Sequence, residues 1–200
     1  MKKVEEPDMA GYYTYADYLT WEFEGYVELI RGKIYKMSPA PNTYHQRVVG
    51  SLYLPIAQFL KKHPCEVFLS PFDVRLPLPP HKIKNEQIDT VVQPDLCVVC
   101  DPAKIDQRGC LGAPGWIVEI LSGSTSRKDL REKFDIYQNA GVKEYWVVHP
   151  TDHTLTVFLL NAAGKYESLQ TQPFVKGDKV PVRTLPGLEI DLEEIFENCD

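Results

Sequence analysis

The chain has 200 residues, long enough for one domain to bury a core without disulfide or metal staples. Its 22 Lys and Arg against 28 Asp and Glu give a formal net charge of −6, which argues against a surface coated in positive charge and leaves room only for a local basic patch. Hydrophobic residues at 44% and 16 prolines place it with globular, turn-rich chains and away from disordered or fibrous ones.

The opening MKKVEEPDMAGYY puts glutamates, a proline and an aspartate where the apolar centre of a signal peptide belongs. No apolar run further along is long enough to cross a bilayer, so a cytoplasmic location with no membrane partner is expected. TYADYLTWEF predicts a short helix capped by Thr14, and YVELIRGKIYKMSP a hairpin about Arg31-Gly32. From about Thr43 to His63, the spacing of Val48, Val49, Leu52, Ile56, Phe59 and Leu60 predicts a helix with one apolar face. EVFLSPFDVRLPLPP is strand-like but broken by prolines, and HKIKNEQID reads as an exposed loop.

VVQPDLCVVC and GWIVEIL are apolar at odd and even positions alike, as strands covered on both faces should be, with the loop DPAKIDQRGCLGAP between them. SGSTSRKDLREKFDIYQNAG is the clearest helix: Ser124, Thr125 or Ser126 can cap it, Leu130, Phe134 and Tyr137 form its stripe, and Gly141 ends it. The strands KEYWVVHP and TLTVFLL follow, KYESLQ adds an edge, and PGLEIDLEEIF closes with a short strand and a small acidic helix. This order predicts an α/β fold, a mixed central sheet flanked by helices, in a single domain over residues 1–200. The N-terminal helix and a small acidic C-terminal extension stand at its ends.

The five cysteines, Cys65, Cys97, Cys100, Cys110 and Cys199, are odd in number and lack the spacing of a secreted scaffold. Cys97 and Cys100 form a CxxC, but residues three apart on a strand face opposite ways, so both are expected to be buried structural thiols.

Three carboxylates interrupt apolar strand-like runs: Glu28 in YVELI, Asp95 in VVQPDLCVV and Glu119 in WIVEIL. A buried carboxylate must be paired, hydrogen-bonded or coordinated. A divalent metal accounts for all three at once. Mg²⁺, with Mn²⁺ as a substitute, takes oxygen ligands and needs only one or two carboxylates; Asp95 and Glu119 would hold it, with Glu28 in or beside the shell. Each acid also has a local reading: an ion pair of Glu28 with Arg31 or Lys33, backbone hydrogen bonds to Asp95, simple pairing of Glu119.

Lys133 is the cation available to a scissile phosphate, with Asp129 and Tyr137 one turn to either side on the same helix face; the alternative is an Asp129–Lys133 surface pair. Ser124, Arg127, Lys128 and Arg131 at the start of that helix make a phosphate-contacting surface or an ordinary capped, solvated helix end. His45, near the start of the long helix, is equally suited to a supporting role at the site or to structure. No serine elbow, phosphate-binding glycine loop or dinucleotide fingerprint is present, and no organic cofactor is expected.

These residues in this order resemble the bacterial restriction endonuclease domain family, a branch of the PD-(D/E)XK nuclease-like superfamily. The resemblance covers nearly the whole chain and is densest in YVELIRGKIYKMSPAPNTYHQRVVGSLY, VVQPDLCVVCDP and RGCLGAPGWIVEILSGSTSRKDLREKFDIYQNAGVKEYWVVHP. It implies a restriction-endonuclease-like fold, Pro94-Asp95 as the first metal acid, Glu119 as the second and Glu28 as an additional acid, with His45 and the SGSTSRKDLREKF segment nearby. The family's lysine two residues after the second acid is Leu121 here, and Lys133 is its natural migrated replacement. The implied activity is metal-dependent endonucleolytic cleavage of DNA, and cutting both strands of a duplex would suit a homodimer. Two alternatives are a catalytically reduced nucleic-acid-binding or assembly protein of the same fold and a hydrolase of another phosphoester.

Overall fold

The computed structural model describes residues 8–22, 25–37, 42–78, 83–122, 127–197 and 199, with side chains excluded at 127–129. Helix α1 (Tyr15–Tyr18) is capped by Thr14 and leads to strands β1 (Val27–Ile30) and β2 (Lys33–Lys36). The pair closes at Ile30 and Lys33, so Arg31 and Gly32 form a two-residue turn, both at positive φ (48° and 76°). A Cβ at Gly32 would sit 2.3 Å from the Tyr12 ring, so the turn needs glycine for space as well as conformation.

Helix α2 (Thr43–Leu60) follows, then β3 (Glu66–Leu69), β4 (Val74–Arg75), β5 (Val91–Val92) and β6 (Leu96–Val99). Strands β7 (Ile105–Asp106) and β8 (Gly109–Leu111) form a hairpin ahead of β9 (Trp116–Ile120). Helix α3 (Arg127–Ala140) connects to β10 (Glu144–His149) and β11 (Thr154–Leu160). The chain closes with β12 (Tyr166–Ser168), β13 (Phe174–Val175), β14 (Lys179–Pro181), β15 (Glu189–Asp191) and helix α4 (Leu192–Phe196).

The strands form two main sheets where one was expected. The first runs β2-β1-β5-β4-β8-β7 and the second β12-β11-β10-β9-β6-β3, with β13 on β11 and a separate β14-β15 ribbon. In the second sheet β9 and β10 are parallel, joined by the α3 crossover, and the other pairs are antiparallel. VVQPDLCVVC, which reads as one strand, is divided between the sheets: β5 belongs to the first and β6 to the second. Pro94 at the break has no N–H to give a ladder, and two sheets bury the apolar residues as well as one central strand would.

Helices α2 and α4 cover one face of the second sheet. Val48, Leu52 and Ile56 pack there with Leu96, Val98, Trp116, Val118 and Phe196, each such side chain adding about 1.5–3 kcal/mol. The acidic C-terminal segment is thus part of the core, because Leu192, Ile195 and Phe196 face inward from between its glutamates. On the other face, Ile136 and Tyr137 of α3 share a core with Val74 and Val92 of the first sheet and Cys97, Ile117 and Tyr145 of the second. Of HKIKNEQID, read as an exposed loop, Ile83, Lys84, Glu86 and Gln87 are exposed, while Ile88 is fully buried against Tyr15, Leu29 and Val91; His81 and Lys82 lie outside the described residues.

Cys97 is a buried free thiol, as expected, with its pKa raised by burial. Cys100 is not: it lies just past the end of β6, exposed, and forms a disulfide with Cys65. The antiparallel register pairs Glu66 with Val99, which brings the residues beyond them face to face.

Candidate functional site

The alternation of β9 decides where Glu119 points. Trp116, Val118 and Ile120 enter the core under α2, so Ile117 and Glu119 face α3. Lys133 and Tyr137, one helical turn apart on α3, meet the carboxylate there: Lys133 Nζ lies 3.0 Å from Glu119 Oε1, and Tyr137 donates its hydroxyl to the same oxygen at 2.5 Å. Glu28 reaches the same ammonium from the first sheet, Oε1 to Nζ 3.0 Å, and also accepts a hydrogen bond from the Gln93 backbone N–H at 2.8 Å. The Tyr35 hydroxyl donates to Glu132 at 2.9 Å, fastening α3 over the β1-β2 hairpin.

Asp95 sits at the entrance to β6. Its Oδ2 accepts from the Ile120 backbone N–H at 2.7 Å, and its Oδ1 lies 3.1 Å from His45 Nε2. His45 is held in place because Asn42 caps α2 by accepting from the His45 backbone N–H at 2.9 Å. Its Nδ1 is buried without a hydrogen-bond partner among the described residues, which matches an imidazole donating from Nε2 to Asp95.

Glu28 therefore pairs with Lys133 and not with Arg31 or Lys33; the Lys33 ammonium donates instead to the carbonyls of Ala10 and Gly11. The backbone reading of Asp95 holds for one oxygen, while the other faces His45. Lys133 joins two of the three acids across a gap of 105 and of 14 residues, rather than forming only a local helix pair. Arg131 is exposed on α3. Ser124 and the side chains of Arg127, Lys128 and Asp129 lie outside the described residues.

Charge in this cluster is out of balance. Glu28 and Glu119 share one ammonium, and Asp95 faces His45, so carboxylates outnumber the cations among them in a largely buried setting. Burial, with Asp95 and Glu28 nearby, pushes the Glu119 carboxyl up to about 7 against the pull of Lys133. Burial by itself would lower the pKa of Lys133, but Glu119 and Glu28 outweigh it and hold the ammonium protonated. Hard oxygen donors with a deficit of positive charge suit a small divalent cation, which needs only one or two carboxylates. Among the described residues, no group of three or more His, Cys, Asp or Glu converges as a ready metal cage.

Two features were not singled out from the sequence. Gln93 supports Glu28 through its backbone, and its place beside Pro94-Asp95 as a polar residue in an apolar run was the available signal. Glu144 is a fourth acid in an apolar strand and is fully buried. It is satisfied without a cation: Trp146 Nε1 and the Arg183 and Thr184 backbone N–H groups donate to it, as does the Thr184 hydroxyl.

A family profile described as "Uma2: Putative restriction endonuclease" matches residues 15–193. An uncharacterized protein of Synechocystis sp. is 26% identical over 183 residues, which span 90% of this chain and 89% of that protein. A crystal structure described as a "putative nuclease belonging to DUF820", from Anabaena variabilis, matches with a TM-score of 0.72 at 20% identity. The match covers 94% of this chain and 99% of that one, a likeness that establishes the fold.

Proposed function

The chain belongs to the Uma2 family, part of the PD-(D/E)XK superfamily, and on that premise we propose that it is a divalent-metal-dependent endonuclease acting on DNA. The family supports nuclease-like function in general. The observation that carries the finer reading is the meeting of Glu28, Glu119 and Lys133 from two sheets and a helix, with Asp95 hydrogen-bonded to the same β9 strand.

In this reading Asp95 and Glu119 hold Mg²⁺ or Mn²⁺, with Glu28 completing or supporting the shell. The cation, when bound, supplies charge neutralisation at the phosphate and a more acidic bound water. Tyr137 orients Glu119 through its hydroxyl, and His45 fixes the rotamer of Asp95. Lys133 supplies the positive charge that the family draws from the position of Leu121, and it orients the attacking water or steadies the phosphate. Two strands need two sites, so duplex cleavage calls for a homodimer.

A second reading, a catalytically reduced nucleic-acid-binding protein, draws on Leu121 and on the engagement of Lys133 with both acids. Cleavage of single-stranded and duplex DNA with Mg²⁺ or Mn²⁺ separates the two. Wild type should cut only with a divalent cation, and Glu119→Gln should lose about a hundredfold or more, as should Lys133→Ala assayed where circular dichroism shows it folded. Metal-independent binding with no cutting, or equal traces from wild type and Glu119→Gln, would overturn the nuclease reading.

A further inference from the structure

The surface beside Gln93 opens into a cavity of about 350 Å³ lined by Tyr18, Trp21, Glu22, Tyr26, Val27 and Gln93. Its link to the acid cluster is Gln93, which lines the cavity and whose backbone N–H holds the Glu28 carboxylate; Val27 and Leu29 face Tyr18 and Trp21 on the side of β1 opposite to Glu28. Cavities of this size take small planar molecules.

Three aromatic rings line the cavity. Tyr18 and Trp21 stand 5.7 Å apart at 56°, and Trp21 packs edge-on to Tyr13 at 5.0 Å. The Tyr18 hydroxyl is tied to Asp73 at 3.2 Å, which fixes that wall, while Tyr26 is 60% exposed and presents its ring to solvent. Such faces accept flat rings, and base–aromatic stacking is indifferent to base identity.

Among the polar lining residues Gln93 is buried, 6% exposed. Its Nε2 is committed to Asp73 at 2.8 Å and Tyr18 at 3.3 Å, and its Oε1 is a buried acceptor with no hydrogen-bond partner among the described residues. An orphaned acceptor calls for a donor, and the edge of a nucleobase supplies one as a ring N–H or an exocyclic amine. The described lining contains a carboxylate, Glu22, and no Lys or Arg, which disfavours a phosphate in the cavity itself.

We infer that this cavity is a nucleobase subsite, taking one unstacked base of a single-stranded nucleic acid and so setting the adjoining phosphate at the acid cluster. The inference rests on the reading of that cluster as a phosphodiester site. A base within a duplex is unavailable to such a pocket, so the preferred substrate is a single strand or a frayed end.

The test uses the full chain with Ca²⁺ in place of Mg²⁺ and two probes, a thymidine hexanucleotide and the same hexamer with one central abasic residue. Trp116 and Trp146 are fully buried, so quenching of tryptophan fluorescence reports Trp21. The intact hexamer should quench and bind about tenfold tighter than the abasic one, and Tyr26→Ala should remove that advantage while leaving abasic binding unchanged. Equal affinity for the two probes, or an advantage indifferent to Tyr26→Ala, overturns the subsite. Mg²⁺-dependent cleavage by wild type is scored separately. Cutting with base-independent binding sinks the subsite alone, and base-dependent binding without cutting upholds the subsite and sinks the nuclease reading.

Discussion

Lys133 is the side chain on which the acid cluster most depends, because Glu28 and Glu119 share it. Lys133→Met keeps the length of the side chain and removes its charge, stranding two buried carboxylates, a loss of about 3–5 kcal/mol at pH 8. The pH dependence has a definite sign. Glu119 holds a proton in the folded state up to about 7 that the unfolded chain releases near 4.5, so its contribution to stability is greatest below 4.5 and declines as pH rises to about 7. Without Lys133 this decline should steepen, and the deficit of the variant should be smaller at pH 5.5 than at pH 8. Guanidinium midpoints at the two pH values check it, and a pH-independent deficit would mean that Glu119 is not the group responding. The acids of this cluster stood out in the sequence because a carboxylate amid apolar strand residues is anomalous wherever it occurs. Glu144 shows the limit of that logic: it stands in the same kind of run, and apart from Trp146 the donors that satisfy it lie some 40 residues away.

At the scale of elements, β10 and the segment after β14 are joined through Glu144, which accepts from Trp146 on its own strand and from Arg183 and Thr184. Glu144→Ala leaves these buried donors without an acceptor and should cost at least about 3 kcal/mol. Hydrogen exchange at the Arg183 and Thr184 amides should accelerate well beyond the global change; protection that falls only in step with overall stability would refute a local tether. Helices α2 and α3 and the β1-β2 hairpin were legible because their apolar spacing and turn residues are local signals. The division of VVQPDLCVVC was not, since Pro94 permits either a strand end or an edge and only pairing partners far along the chain decide which. The β7-β8 hairpin was missed for a similar reason: each strand is too short to show a period.

For the whole molecule, the important arrangement is that the acids come from both sheets, Glu28 from the first and Glu119, with Asp95 beside it, from the second. A cation or phosphate held by both gains affinity only when the sheets keep their present alignment, so binding and alignment stabilise each other. Saturating Mn²⁺ should therefore slow hydrogen exchange in β1 and in β9 together. Protection confined to the second sheet would exclude Glu28 from the binding shell.

The Cys65–Cys100 bond bears on this arrangement in another way. It closes a covalent ring of chain that contains Asp73, Gln93, Asp95 and all of β3 to β6. A protease that nicks the backbone anywhere inside the ring yields two polypeptides that are still one molecule, with one site acid and the amide of the aromatic cavity fastened to the remainder until a reductant lets them part.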